Sequence, residues 1–318
     1  MKMTIDDILE QIKISEKIVI LTHENPDGDA IGSSLAMKHA LSKLGKQADI
    51  YIPEYSKVFE FLPGANEILK EPKEEVYDLV IGVDCANLKR LKGGEIYFDS
   101  AKARINIDHH GSNTMYADFN FVDPVSPACC QILIGLFEYF GIELDIELGT
   151  CILAGIITDT GGFRHSGINK ETFEFTAWLL EKGVKVSELY RKVLQTKTKA
   201  TFDLTKIVVD RMEFLEDGKI TFTHINLEDK EKVNAQVGDH EGLVDIGVDI
   251  EGVEVSIFAR EERENEYKYS LRSKEYVNVS DVCLMFNGGG HPRAAGCTIL
   301  GDLEQGKQKL LAEIKKVL

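Results

Sequence analysis

The chain has no Cys-x-x-Cys pair, no run of basic residues and no long apolar stretch, and each absence removes a class of protein. Its six cysteines are Cys85, Cys129, Cys130, Cys151, Cys283 and Cys297, and their spacing does not suit a structural zinc site. All but Cys85 and Cys297 fall in helical patterns among apolar neighbours. Reduced, buried thiols acting as small hydrophobes are the expectation. The longest clean apolar run is Cys151–Ile157, far short of the about 18 residues that a membrane span needs. The start, MKMTIDDILEQIKIS, is acidic and helix-like with no apolar signal core, so a cytoplasmic location without membrane contact is expected. Positive charge is scarce as well: 37 Lys and Arg against 53 Asp and Glu leave a net charge of −16. Long nucleic acids are held by basic faces, and the densest positive segment, Arg191–Lys206, is only modestly basic. Long duplexes are therefore poor partners. A short anionic ligand remains compatible with this charge if bound metal ions supply local positive potential.

What is present points to an ordered protein of about two domains. The 318 residues are 43% hydrophobic, without low-complexity segments or internal repeats. Strand-like runs at Ile18–Thr22, Gln47–Ile52, Leu79–Val83 and Arg104–Ile107 alternate with helical patterns in the first half. The helical patterns are Thr4–Ile14, Asp29 to Gly45, Pro127–Phe140, Ile146–Asp159 and Lys170–Lys182. This alternation predicts an α/β fold with a parallel sheet covered on both faces. A polar helical stretch over 186–205 reads as a linker. From Lys206 the texture turns strand-rich, with a hairpin turn at Glu216-Asp217-Gly218 and strands at Val253–Arg260 and Tyr267–Arg272. A helix at Ser280–Phe286 then leads to three glycines.

Four polar clusters stand out, three of them at the carboxyl ends of strands, where open α/β sheets place ligands. The first is His23-Glu-Asn-Pro-Asp27-Gly-Asp29. Carboxylates crowded this closely repel one another unless a cation neutralises them, and a mix of His nitrogen and carboxylate oxygen suits a divalent ion such as manganese. The same aspartates would also serve as caps of the following helix. The second is Asp84, which ends the apolar strand LVIGV. The third is Asp108-His109-His110-Gly111. Neighbouring side chains on an extended chain point to opposite faces, so one ring is expected on a metal and the other toward substrate. The fourth is Asp159, in a segment with two glycines and then Arg164 and His165, which are placed to meet an anion.

These four segments, in this order, resemble the Asp-His-His (DHH) phosphoesterase superfamily. FNGGGHPRAAGCTI, Phe286–Ile299, is similar to the signature of the DHH-associated C-terminal domain. Its glycines Gly288, Gly289 and Gly290 would let backbone N–H groups close on an oxyanion, and His291 and Arg293 would add donors. By size and motif order, and in the segments TDTGGFRHS and SLRSK, the chain is most similar to the bacterial nano-RNase and 3′-phosphoadenosine-5′-phosphate (pAp) phosphatase group.

The resemblance implies a metal-binding catalytic domain over 1–185, the linker, and a smaller α/β substrate-binding domain over 206–318, with substrate in a cleft between them. It also implies two divalent ions, manganese before magnesium or cobalt. His23 and Asp27 would hold one ion, Asp29, His109 and Asp159 the other, with Asp84 bridging. His110 would act at the scissile phosphate and Asp108 would orient a histidine ring. Arg272, His291 and Arg293 are expected to grip a terminal nucleotide. Arg260, at the head of the charged run REERENE, is expected in a solvated hairpin tip. The implied reaction is hydrolysis of short oligoribonucleotides to mononucleotides, and of pAp to AMP. Hydrolysis of cyclic di-nucleotides or linear dinucleotides is the enzyme alternative, and a nucleotide-binding module the non-enzyme one. The sequence carries no expectation about oligomeric state.

Overall fold

The computed structural model describes residues 4–91, 93–165 and 167–318, in two compact units, Met1–Thr196 and Lys197–Leu318. The first unit opens with α1 (Ile5–Ile14), which starts in a reciprocal cap between Thr4 and Asp7. β1 (Lys17–Leu21), α2 (Gly28–Lys43), β2 (Gln47–Ile50), β3 (Leu79–Val83), α3 (Glu95–Ser100), β4 (Ala103–Asp108) and β5 (Phe119–Val122) follow. The unit ends with α4 (Cys129–Tyr139), α5 (Ile146–Asp159), α6 (Lys170–Glu181) and α7 (Val186–Tyr190). Its five strands form one parallel sheet in the order β2-β1-β3-β4-β5.

Strand alternation explains why both faces are covered. Ile18, Ile20, Leu79, Ile81, Ile105 and Ile107 join a core with residues of α1, α2, α4 and α5. Val19, Leu21 and Val80 join another with Tyr51, Tyr77, Tyr97 and Phe98. α5 packs closely against the start of α2. A Cβ on Gly155 would stand 2.3 Å from Cys130 Sγ and 2.7 Å from Asp29 Oδ1, so this approach requires glycine. β1 lies between β2 and β3, so the sheet reverses its winding there, and the crevice at the carboxyl ends of β1 and β3 is the natural ligand position.

The helix expected over 186–205 is interrupted. α7 runs into a π-type turn at Arg191–Gln195. Thr198 then caps a new helix, α8 (Lys199–Asp210), by accepting from the Thr201 amide, and it donates to the buried Asp239 carboxylate. β5 was not anticipated, because FNFV is a half-buried edge strand with little apolar contrast.

After α8 the second unit comprises β6 (Glu213–Leu215), β7 (Ile220–Ile225), α9 (Leu227–Val233), α10 (Asp245–Val248), β8 (Val255–Arg263) and β9 (Glu266–Ser273). α11 (Val279–Leu284), β10 (Gly289–His291), β11 (Ala294–Leu300) and α12 (Leu303–Ile314) complete it. Its mixed sheet runs β10-β11-β9-β8-β7-β6, with β7 and β8 parallel. Val255, Ile257 and Leu271 pack with α11 and α12. Ile225 and Phe258 pack with Leu204 and Val208 of α8. Glu216, Asp217 and Gly218 all adopt left-handed backbone at the predicted hairpin turn. Arg260 departs from expectation. It is 6% exposed and paired with Glu262, because REERENE continues β8 and only its end, at Arg263 to Glu266, forms the tip. Among the described residues no helix is long and apolar enough to cross a membrane, and all six cysteines are buried and unpaired by disulfides.

Candidate metal centre

The loops that follow β1, β3 and β4, together with the end of α5, bring four carboxylates around two imidazole nitrogens. His23 Nε2 lies 3.9 Å from Asp27 Oδ2 and 3.6 Å from Asp84 Oδ2. His109 Nε2 lies 3.7 Å from Asp29 Oδ2, 3.4 Å from Asp84 Oδ1 and 3.4 Å from Asp159 Oδ2. Candidate ligand atoms of His23, Asp27 and Asp84 fall within 4.8 Å of one another, as do those of Asp29, Asp84 and His109. Asp84 stands in both groups, with one oxygen toward each ring. Its backbone is left-handed, φ 51°, a conformation uncommon outside glycine, asparagine and aspartate.

Each ring is set by its other nitrogen. His23 Nδ1–H donates to Glu24 O at 2.8 Å, and His109 Nδ1–H donates to Ser126 O at 3.2 Å. These bonds commit Nδ1 as donor and aim Nε2 at the carboxylates, the tautomer a metal ligand needs. The carboxylates are set in the same way. Asp27 caps α2 through Oδ1, which accepts from the Asp29 and Ala30 amides, and leaves Oδ2 toward His23. Asp29 accepts from the Cys129 amide at 2.6 Å and the Cys130 amide at 2.9 Å, at the N-terminus of α4. The Ser126 carbonyl and these two amides are backbone groups, so no side-chain pattern in the sequence marks them.

The protonation pattern tests whether a cation fits. Burial pushes the Asp29 carboxyl up to about 7, and Asp84 adds to the push. Burial also raises Asp159 well above the usual carboxylate range, although its side chain keeps 21% exposure. Burial would raise Asp84 too, but the His109, His23 and His110 rings around it outweigh burial and hold that carboxyl well below the usual range. Burial opposes charge on His109, yet Asp159, Asp84 and Asp29 hold the imidazolium well above its ordinary pKa. So many acids cannot all ionise together without positive charge among them. Asp84 Oδ1 makes no hydrogen bond although it is buried. Two ligand atoms each about 2.1 Å from one ion stand about 3.0–3.5 Å apart, close to the separations seen here. The His/Asp cluster could hold a metal.

Beside it, His110 Nδ1 is 2.7 Å from Asp108 Oδ1 and 3.5 Å from Asp84 Oδ1. His109 and His110 approach edge to face, with ring centroids 4.8 Å apart. Asp108 is fully buried and orients His110, not His109. Arg164 and His165 are exposed, and His165 Nδ1–H donates to the Asp159 carbonyl at 3.0 Å.

The remaining predicted residues belong to the second unit. Arg293 Nη1 donates to Val277 O at 2.6 Å, and Arg272 Nε lies 3.2 Å from Asp245. The triple glycine differs from a loop whose amides all face a ligand. The Gly288 amide donates to Cys283 O, while Gly289 and Gly290 form β10 with His291. A Cβ on Gly288 would lie 2.2 Å from Gly296 O, so this glycine permits backbone-to-backbone packing on β11.

Comparison with known proteins agrees with this architecture. Residues 17–156 match the DHH family, N-terminal domain, and residues 217–318 match the DHHA1 domain. The bifunctional oligoribonuclease and PAP phosphatase NrnA of Thermus thermophilus is 35% identical, over 98% of this chain and 93% of its own length. The protein of the same name from Bacillus subtilis is 26% identical, over 92% of each chain. The crystal structure of an exopolyphosphatase-related protein from Bacteroides fragilis aligns with a TM-score of 0.86 at 29% identity, covering 98% of this chain and 95% of that one. The motif resemblance is borne out, and the chain belongs to the DHH phosphoesterase family.

Proposed function

We propose that this protein hydrolyses short oligoribonucleotides to mononucleotides and pAp to AMP, using two divalent ions held by His23, Asp27, Asp29, Asp84, His109 and Asp159. The observation that carries the reading is the placement of Asp84 between two Nε2-directed histidines, His23 with one further carboxylate and His109 with two. Manganese suits this mixed nitrogen and oxygen set, with magnesium or cobalt as alternatives. Bound ions of this kind supply Lewis acidity and a nucleophile at neutral pH.

The chain's own residues do the rest. Hydrolysis adds water across a phosphorus–oxygen bond: the water oxygen joins phosphorus, and the departing ribose oxygen takes a proton. His110, with Nδ1 committed to Asp108, is placed to hold or deliver that proton at Nε2. Arg164 and His165, exposed in the turn that follows α5, are suited to a phosphate oxygen. In the second unit, Arg272, His291 and Arg293, with the segment Gly288–Gly290, are proposed to bind the terminal nucleotide. The names of the Thermus and Bacillus relatives support the substrate class.

The test is product release with manganese from di- to pentanucleotide RNAs, a long RNA, pAp, a cyclic di-nucleotide and pyrophosphate. Mononucleotide released fastest from the shortest RNAs, with AMP from pAp, is expected. Turnover confined to the cyclic di-nucleotide or pyrophosphate would overturn the substrate assignment. Binding of manganese and nucleotide without any turnover would make the protein a binding module.

A further inference from the structure

Beside His110 lies a chain of side-chain amides, Asn106 buried and Asn113 half-buried, that neither the motif nor the proposed metal set uses. Asn106 sits inside β4 between Ile105 and Ile107 with no exposure. An asparagine buried in a strand is costly unless its amide is satisfied. Here Nδ2 donates to Cys85 O at 3.2 Å and to the Tyr116 hydroxyl at 3.0 Å. Its Oδ1 accepts from Asn113 Nδ2 at 2.8 Å.

Asn113 is held at its other end. Its Oδ1 accepts from the Met115 amide at 2.7 Å, which fixes the direction of the side-chain amide. Its Nδ2 is therefore turned inward and also donates to Asp108 Oδ2 at 2.6 Å, a short bond to a carboxylate. The other oxygen of Asp108 holds His110 Nδ1. One path thus runs from Asn106 through Asn113 and Asp108 to His110. The turn that carries it is tied across to the loop after β3, where the Thr114 amide donates to Ala86 O at 2.9 Å. With Oδ2 fixed by Asn113, the Asp108 carboxylate cannot rotate, so His110 is kept in one tautomer and one ring plane.

We propose that Asn113, backed by Asn106, is a positioning residue that fixes the His110 ring through Asp108. The proposal rests on the reading that His110 works on the scissile phosphate. Asn113→Asp keeps the acceptor for the Met115 amide but removes the donor to Asp108. Asp108→Asn combined with Asn113→Asp restores a hydrogen bond between the two positions with its direction reversed and the charge unchanged.

The experiment measures kcat and KM on whichever short substrate the wild-type protein turns over, with thermal midpoints as a check of folding. Asn113→Asp is expected to lower kcat about 10–100-fold with KM changed less than about twofold. The reversed pair should recover most of the loss, and it also serves where the single variant does not fold. In a His110→Ala background, Asn113→Asp should cost nothing further. An equal loss in that background, or a lowered midpoint with kcat intact, overturns the proposal. Nitrogen chemical shifts of the His110 ring, in protein loaded with magnesium, give a readout that needs no turnover. Wild type should show Nδ1–H alone and Asn113→Asp a tautomer mixture. Unchanged shifts would sink the positioning role even if no substrate in the panel were cleaved, whereas an inactive wild type with shifted ring signals would fail only the substrate reading.

Discussion

Asp84→Asn separates charge from backbone at the middle of the proposed site. Residue 84 has φ 51°, a conformation that asparagine tolerates better than alanine does. The substitution therefore keeps the turn and the volume and removes only the negative charge. Asp84 is 1% exposed and within 3.6 Å of Nε2 on both His23 and His109, so a shared ligand there would serve two ions at once. The metal-free protein should hardly notice the change. The lost attraction to the two histidines is offset by relief of Asp29 and Asp159, whose carboxyls Asp84 helps to push up.

The metal-loaded protein should notice it strongly. At manganese about 100 times its dissociation constant, binding stabilises the native state by about 2.7 kcal/mol; a 100-fold weaker site leaves about 0.4 kcal/mol. For a unit of this size, about 2–4 °C accompanies each kcal/mol. Scanning calorimetry with and without manganese should thus show a shift of about 5–10 °C for each bound ion in wild type and about 1 °C for each in the variant. Hydrolysis should fall by more than about 100-fold, beyond what a change outside the ligand shell produces. A variant that keeps the full manganese shift and near-normal turnover would refute the shared-ligand reasoning.

Gly155→Ala should destabilise the first unit by about 1–3 kcal/mol, because the new methyl meets Cys130 Sγ and Asp29 Oδ1; Gly135→Ala, on the exposed side of α4 with nothing within 4 Å, should instead stabilise by about 0.5–1 kcal/mol. Denaturant midpoints compare the two. Glu254→Gln should cost the second unit about 2–3 kcal/mol in urea unfolding, since this carboxylate, 5% exposed, accepts from the Glu275, Tyr276 and Val277 amides. Asp78 is held down to about 2 by the Lys102 ammonium and then by the Lys17 and Glu16 amides. Its folded pKa lies below the unfolded one, so its contribution is present above about pH 4 and lost as pH falls toward about 2. Asp78→Asn should therefore be less stable than wild type at neutral pH, and the gap in urea midpoint should close across that window; a constant gap would exclude the linkage.

What the sequence made legible was local. Leu79–Val83 and Ile146–Asp159 appear with the predicted bounds, because each is a clean apolar pattern closed by a polar residue. α12 carries its apolar residues on one narrow face, and β5 is short and half-exposed, so neither announced itself. Arg260 was misplaced because composition marks a charged run as solvated, whereas register places this arginine inside β8. The glycine triplet suggested open amides. That Gly288 instead lies against Gly296 depends on strand pairing, which no local pattern reveals.

The turn after β1 allowed two readings, acidic helix cap or metal ligands, and the two are compatible in the same side chains. A carboxylate has about four lone-pair sites, so capping does not exhaust it. Asp27 spends Oδ1 on the amides at the start of α2 and turns Oδ2 to His23. Asp29 reaches from α2 to the amides that open α4: Oδ1 accepts from the Cys130 amide, and Oδ2 accepts from the Cys129 amide while also facing His109. Helix N-termini favour anions, so both sets of amides hold their carboxylates in place for the proposed ions. The resulting rigidity lets crowded like charges persist, since neither aspartate can swing away without exposing unsatisfied amides. The cap is therefore what would aim each proposed ligand. Moving either helix start by one residue would break the cap and misdirect the carboxylate together.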